Sequence, residues 1–177
     1  REEILKKLPN QNNEFLQGQY PYTINPGGPN HEELVSLIGI YEYFDNLYNH
    51  HYNNTNVSIL EKISKINNLI SEHEEEIANP ILNYLDSRED LNLIGKNKIT
   101  NKNRAPTISF YSKEKSSKEI SNNLYRYKIA TRNDNFYAWR CLKHLGINTD
   151  DGVVRLSMTH YNNSQDTINV LNALKNV

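Results

Sequence analysis

The sequence predicts an α/β fold, with a mostly antiparallel sheet, helices on one face, and long bridging helices ahead of it. Three observations carry this. Up to about residue 88, apolar residues recur at helical spacing over two long stretches. Beyond it the rhythm shortens to brief alternating runs. Those runs and the segments between them follow the order β-β-α-β-α-β-α, which describes a layered domain with one face of the sheet covered. At 177 residues the chain has room for one ordinary domain, or for a small domain with a piece of a neighbour.

Residues 1–8 read as the end of a helix stopped by Pro9. Residues 9–30 form a loop punctuated by Pro21, Pro26, Gly27, Gly28 and Pro29, with Tyr20, Tyr22 and Ile24 as a short extended piece. From His31 to about Tyr48 the spacing is helical, with Leu34, Val35, Ile38, Tyr41 and Leu47 on one face. Asn30 suits the N-cap, and Glu32 and Glu33 suit the positive end of the helix. His50 to Asn56 reads as a polar loop. Residues 57–85 form the longest helical stretch, through Leu60, Ile63, Ile66 or Asn67, Ile70, His73 and Ile77. Pro80 is expected to kink it or to open a second helix. Glu74, Glu75 and Glu76 read as a solvated face.

After residue 88, Leu91–Ile94 reads as a strand and 95–104 as a polar, basic loop. Thr107–Tyr111 is a strand, Ser116–Tyr127 a helix and Lys128–Arg132 a strand. Phe136–Leu145 reads as a helix closed by Gly146, a residue suited to the left-handed turn past a helix end. Val153–Met158 is the last strand. Ser164–Asn176 is the last helix, with Ser164 as N-cap and Ile168, Leu171 and Leu174 facing inward. The expected organisation is 1–56, 57–88 as bridging helices, and 89–177 as a small α/β domain.

Lys and Arg number 20 against 21 Asp and Glu, a net charge of −1, so nothing in the charge balance favours a nucleic-acid or anionic-membrane partner. No apolar run approaches the ~20 residues that cross a bilayer. One cysteine, Cys141, excludes a disulfide framework and any zinc site with two thiolates. A soluble protein of the cytoplasm or another reducing compartment is expected. Sequons occur at Asn53, Asn56 and Asn162, but 28 residues are asparagine, enough for chance to produce them. Residue 1 is Arg and the single methionine is Met158, so the sequence reads as part of a longer protein.

Residue by residue, few groups stand out. His50 and His51 read as surface residues, and Cys141 as a small core residue on the apolar side of a helix. No phosphate loop, dinucleotide fingerprint or Gly-x-Ser-x-Gly elbow occurs. Gly27-Gly28 ahead of a helix can present backbone N–H groups to an anion. Arg155 lies between Val154 and Leu156 in an apolar strand, so alternation turns it away from them. Such an arginine invites either a ligand carboxylate, bound bidentately, or an internal ion pair with a protein acid.

The final stretch has an ordered pattern. Arg132, Phe136, Tyr137 and Ala138 are followed by Leu145-Gly146, then Val154-Arg155 and Ser157, then His160-Tyr161-Asn162 and a helix. Upstream stand Asn25-Pro26-Gly27-Gly28-Pro29-Asn30 before a long helix, and Arg104-Ala105-Pro106-Thr107-Ile108-Ser109-Phe110 at a strand. This set resembles the C-terminal portion of the class V aminotransferase and cysteine-desulfurase-like enzymes, over nearly the whole chain.

The resemblance implies the C-terminal small domain of a fold-type I transferase, with residues 1–56 as the end of the large domain. It implies pyridoxal 5'-phosphate as cofactor, an amino acid as substrate, and a homodimer without nucleic acid or membrane. Gly27 and Gly28 would lie at the cofactor phosphate of the partner subunit, although the family often has Thr where Gly28 stands. Arg155 would hold the substrate α-carboxylate, Arg132 would flank the active-site loop, and Tyr137 would shape the pocket mouth. Tyr137 stands where cysteine desulfurases of one group carry their nucleophile, and Asp134 where the family usually has Gly. The family's cofactor lysine, in a Ser-x-His-Lys-like motif, has no counterpart here, so these residues alone are expected to be inactive. The rival expectation is a non-catalytic structural or regulatory partner that keeps the fold and dimer surface.

Overall fold

The computed structural model describes residues 2–177 except Tyr20, Pro21, Pro26, Thr55, Asn101 and Lys102. The chain divides into two units, residues 1–66 and 67–177.

The first unit is helical. It holds α1 (Glu2–Leu5), a 3-10 turn at Glu14–Leu16, α2 (His31–His51) and the opening of α3 (Ile59–Asp86). Asn30 caps α2, its side chain accepting from the Glu33 N–H at 3.1 Å, as the sequence predicts. His50 and His51 belong to the last turn of α2 rather than to a loop. Tyr48 is the buried centre of this unit. Its hydroxyl donates to the Asn54 carbonyl at 2.9 Å, its ring stacks on Tyr52 at 4.9 Å, and the Lys62 ammonium sits 5.2 Å from the ring centre. Lys62 also pairs with Asp45 at 2.5 Å, and that hydrogen bond holds the Asp45 carboxyl below its ordinary range. The apolar face read for α2 exists, but Leu34, Val35, Ile38 and Tyr41 are exposed. Of the expected extended piece, Tyr22 and Ile24 lie in turns rather than a strand, and Tyr20 is outside the described residues.

In the second unit, α3 continues through Pro80 to Asp86, so no new helix opens at the proline. Four strands follow: β1 (Leu91–Ile94), β2 (Thr107–Ser112), β3 (Arg132–Asp134) and β4 (Val153–Ser157). They form one sheet in the order β1-β2-β4-β3, antiparallel throughout. Between and after them lie α4 (Ser117–Arg126), α5 (Trp139–His144) and α6 (Ser164–Leu174).

Strand alternation divides the side chains between two faces. Ile108, Phe110, Val154 and Leu156 enter the main core with Ile81, Leu82 and Leu85 of α3, Ile120 and Leu124 of α4, and Val170, Ala173 and Leu174 of α6. Val153, of opposite parity, joins a smaller cluster with Leu142 of α5, Ile147, Tyr111 and Phe136. The arginine at position 155 shares Val153's parity, so it stands outside the main core.

Several local expectations shift. The third strand is Arg132–Asp134, not Lys128–Arg132; Lys128 is left-handed, with φ of 63°, which stops a strand from running through it. Asn163, not Ser164, caps α6, and Asp166 completes a capping box by accepting the Asn163 N–H at 3.0 Å. Those bonds hold the Asp166 carboxyl below its ordinary range. Replacing Asn163 with alanine should cost about 1 kcal/mol, read as a lowered urea midpoint at constant slope. Within α6 the buried residues are Thr167, Val170, Ala173 and Leu174, while Ile168 is exposed. Glu74 is half-buried rather than fully solvated: burial pushes its carboxyl up, against the pull of His160 and His73. His73 itself donates from Nε2 to the Asn162 carbonyl at 2.7 Å, tying α3 to the turn after β4.

Candidate functional site

Arg155 and Arg132 meet on one face of the sheet. In register they lie directly opposite each other across β4 and β3, with Ser109 of β2 on the other side of Arg155. Arg155 is half-buried and Arg132, on the edge strand, is exposed. The Arg155 guanidinium carbon lies 4.2 Å from the centre of the Phe136 ring, and that of Arg132 lies 5.9 Å from it. The Arg155 Nε is sealed from solvent and has no hydrogen-bond partner. Among the described residues neither arginine has a carboxylate within ion-pair distance. The internal ion pair that the sequence left open for Arg155 is therefore not made by the described residues. A buried donor without an acceptor costs about 1–3 kcal/mol, and a carboxylate at this spot would remove that cost.

The loop from β3 to α5 builds the rim. Asp134 Oδ1 accepts the Asn135 N–H at 2.6 Å, and Asn135 Oδ1 accepts the Tyr137 N–H at 3.1 Å. Asn135 Nδ2 donates to the Thr149 carbonyl at 3.3 Å, and its own carbonyl accepts the Ala138 N–H at 2.8 Å. This side-chain-bonded turn holds Phe136 at φ 53° and Tyr137 at φ 60°. Two consecutive left-handed residues other than glycine store strain, which the asparagine bonds oppose. The sequence places a helix from Phe136 onward; the structure delays it to Trp139 because the Asn-Asp-Asn run takes the backbone into a turn first. One consequence is that Phe136 tucks under the arginines while Tyr137 stands fully exposed at the apex.

Cys141 also departs from expectation. It is exposed rather than a core residue, because the short α5 turns Leu142 inward instead.

Gly152 is a site-supporting residue that the sequence reading missed. Its φ is 72°, and a Cβ there would fall 2.2 Å from the Asp134 carbonyl carbon. The backbone entering β4 thus presses directly on the turn that carries Phe136 and Tyr137. Just before it, Asp151 takes the Ser117 N–H with both carboxylate oxygens at 3.0 Å, which ties this corner to the start of α4. The Asp150-Asp151-Gly152 run was the available signal for a tight turn.

Gly27 and Gly28 lie exposed ahead of α2, in the other unit. A Cβ at either would meet nothing within 4 Å, so the space beside both is open. With glycine at position 28 no side-chain donor is present, and Glu32 and Glu33 follow in the first turn. Pro26 of the same motif lies outside the described residues. The donor chemistry therefore fits a cofactor phosphate through backbone N–H groups only, and fits an amino-acid carboxylate through Arg155.

A sequence model of the family described as aminotransferase class-V matches residues 53–170. The aminotransferase-like protein FGM3 of Gibberella zeae is 29% identical over 109 residues, covering 61% of this chain and 27% of that protein. The solved cysteine desulfurase CsdA of Escherichia coli superposes with a TM-score of 0.63 at 18% identity, over 88% of this chain and 32% of its own. A cysteine desulfurase of Thermococcus onnurineus gives 0.54 at 24% identity, over 67% of this chain and 29% of its own. These structural likenesses show the fold. The chain spans about a third or less of the length of the relatives it matches.

Proposed function

The chain belongs to the aminotransferase class-V family, and we propose on that premise that it binds the amino-acid substrate of a pyridoxal-phosphate enzyme. The observation that carries this reading is the half-buried Arg155, whose Nε is sealed without a partner in a strand that otherwise feeds the core. Arg155 receives the substrate α-carboxylate as a bidentate pair and fixes the orientation of the α-carbon. Phe136 backs the guanidinium and limits its freedom. Arg132 adds positive potential at the edge, and Tyr137 narrows the mouth. Gly27 and Gly28 give backbone N–H groups to the cofactor phosphate in the second subunit of a homodimer. When bound, pyridoxal phosphate supplies the electron sink for bond breaking at the substrate α-carbon.

The reaction class follows from the loop. Tyr137 occupies the position of the desulfurase nucleophile, and a phenol forms no persulfide. The reading is cofactor-centred chemistry on an amino acid, such as transamination, elimination or epimerisation. The exposed Cys141 lies four residues beyond Tyr137, in α5, so its thiol is the group to test. With the full-length protein, sulfide release from L-cysteine should be slow and unaltered by Cys141→Ala. Reductant-dependent turnover that vanishes in that variant would assign the sulfur-carrying role to Cys141 and overturn the reading. Among the described residues no helix is long and apolar enough to cross a membrane. A lone exposed thiol fits a reducing compartment.

A further inference from the structure

We propose that this face of the sheet selects an amino acid carrying two acidic groups, the α-carboxylate on Arg155 and the second on Arg132. The inference rests on the reading that Arg155 takes the α-carboxylate, and it adds the substrate class. Residues directly opposite on antiparallel strands have Cβ atoms about 4.5–5.5 Å apart, and like charges placed so repel. Such a pair normally brings a carboxylate with it. Here Arg132 and Arg155 are in register, and among the described residues neither side chain has an ion-pair partner or a hydrogen bond.

The available acids do not fill the gap. Asp134 shares Arg132's face of β3, but its Oδ1 is taken by the Asn135 N–H at 2.6 Å. The Phe136 ring lies against both guanidinium groups. A ring face attracts a cation by about 0.5–2 kcal/mol but carries no net charge, so it cannot neutralise two arginines. The pair therefore presents two positive charges to whatever enters.

The two arginines also differ in depth. Arg155 is half-buried with a sealed Nε, the inner anchor for the invariant end of an amino acid. Arg132 is exposed on the edge strand, the outer anchor for a side-chain group. A substrate with one carboxylate satisfies only one of them. A substrate with two satisfies both, and its length bridges adjacent strands.

The test uses isosteric pairs on the full-length protein: L-aspartate against L-asparagine, and L-glutamate against L-glutamine, followed by titration calorimetry. At least one acid should bind about 10-fold or more tightly than its amide, the scale of one charge-assisted contact. Arg132→Gln should bring the acid down to the level of the amide while weakening the amide far less than the acid. Its melting temperature should not fall, because Arg132 is exposed and unbonded; Arg132→Lys should keep part of the preference. Equal binding of acid and amide, or a preference that survives Arg132→Gln, would overturn the proposal. Succinate against succinamate asks the same question without an amino group. If succinate is preferred in an Arg132-dependent way while no amino acid perturbs the absorbance of bound pyridoxal phosphate, the two-acid site stands and the amino-acid enzyme reading falls.

Discussion

Replacing Gly152 with alanine should destabilise the α/β unit far more than the same change at Gly146. Both glycines are left-handed, with φ of 72° and 70°. In that region any L-residue with a Cβ loses roughly 1–2 kcal/mol, so both variants carry this cost. The surroundings differ. A Cβ at Gly146 meets nothing within 4 Å, whereas one at Gly152 falls 2.2 Å from the Asp134 carbonyl carbon, 2.3 Å from its oxygen and 2.7 Å from the Asn135 nitrogen. Those are backbone atoms of the turn, which cannot swing aside as a long side chain would. Forcing them apart adds about 1–3 kcal/mol, as overpacking does elsewhere. Because Asp134 and Asn135 hold Phe136 under the arginines, the strain reaches the binding face too. Chemical denaturation of the two variants side by side checks this. Equal midpoints would mean that the close approach of β4 to the turn is not what Gly152 is for. Retained amino-acid affinity in a strongly destabilised Gly152→Ala protein would separate the stability role from the site.

Much of this fold was legible because it is written in short-range patterns. The helical period over residues 59–86, the alternation at 107–112 and 153–157, and the Asn30 cap all depend on neighbours within a few residues. Arg155 was legible for the same reason, since alternation alone lifts it out of the Val154–Leu156 face. The errors cluster where side chains compete with the backbone or where burial depends on distant partners. Asn135 captures two N–H groups and turns Phe136–Ala138 away from a helix, a choice that propensity and spacing do not register. Cys141 and Ile168 sit on faces that periodicity allows to be apolar, but α5 and α6 each roll the neighbouring residue into the core instead. The opposition of Arg132 and Arg155 joins residues 23 positions apart through strand register, and the strand assigned to 128–132 hid it. The role of Phe136 as their shared support was invisible for that reason.

Replacing Arg155 should weaken amino-acid binding strongly while costing little stability, an unusual combination for a half-buried charge. Removing one member of a buried ion pair is normally destabilising by several kcal/mol, since it strands the partner. Arg155 strands nothing: among the described residues no acid pairs with it, and its Nε is already unsatisfied. Its removal also relieves repulsion with Arg132, directly opposite in the sheet. Against that stands the loss of its contact with the Phe136 ring at 4.2 Å, worth about 0.5–2 kcal/mol. Arg155→Met keeps most of the stem volume and should leave the melting temperature close to that of the parent. Affinity behaves differently, because the bidentate carboxylate contact is charge-assisted and half-buried. Its loss should cost roughly 1.5–3 kcal/mol, or about 10- to 150-fold in amino-acid dissociation constant, with pyridoxal phosphate binding unchanged. The measurement is calorimetric titration of the full-length protein and the Arg155→Met variant, alongside thermal unfolding of both. Unchanged amino-acid affinity with a sharply lowered melting temperature would make Arg155 a structural cation whose partner lies elsewhere, and would remove the anchor on which the substrate reading depends.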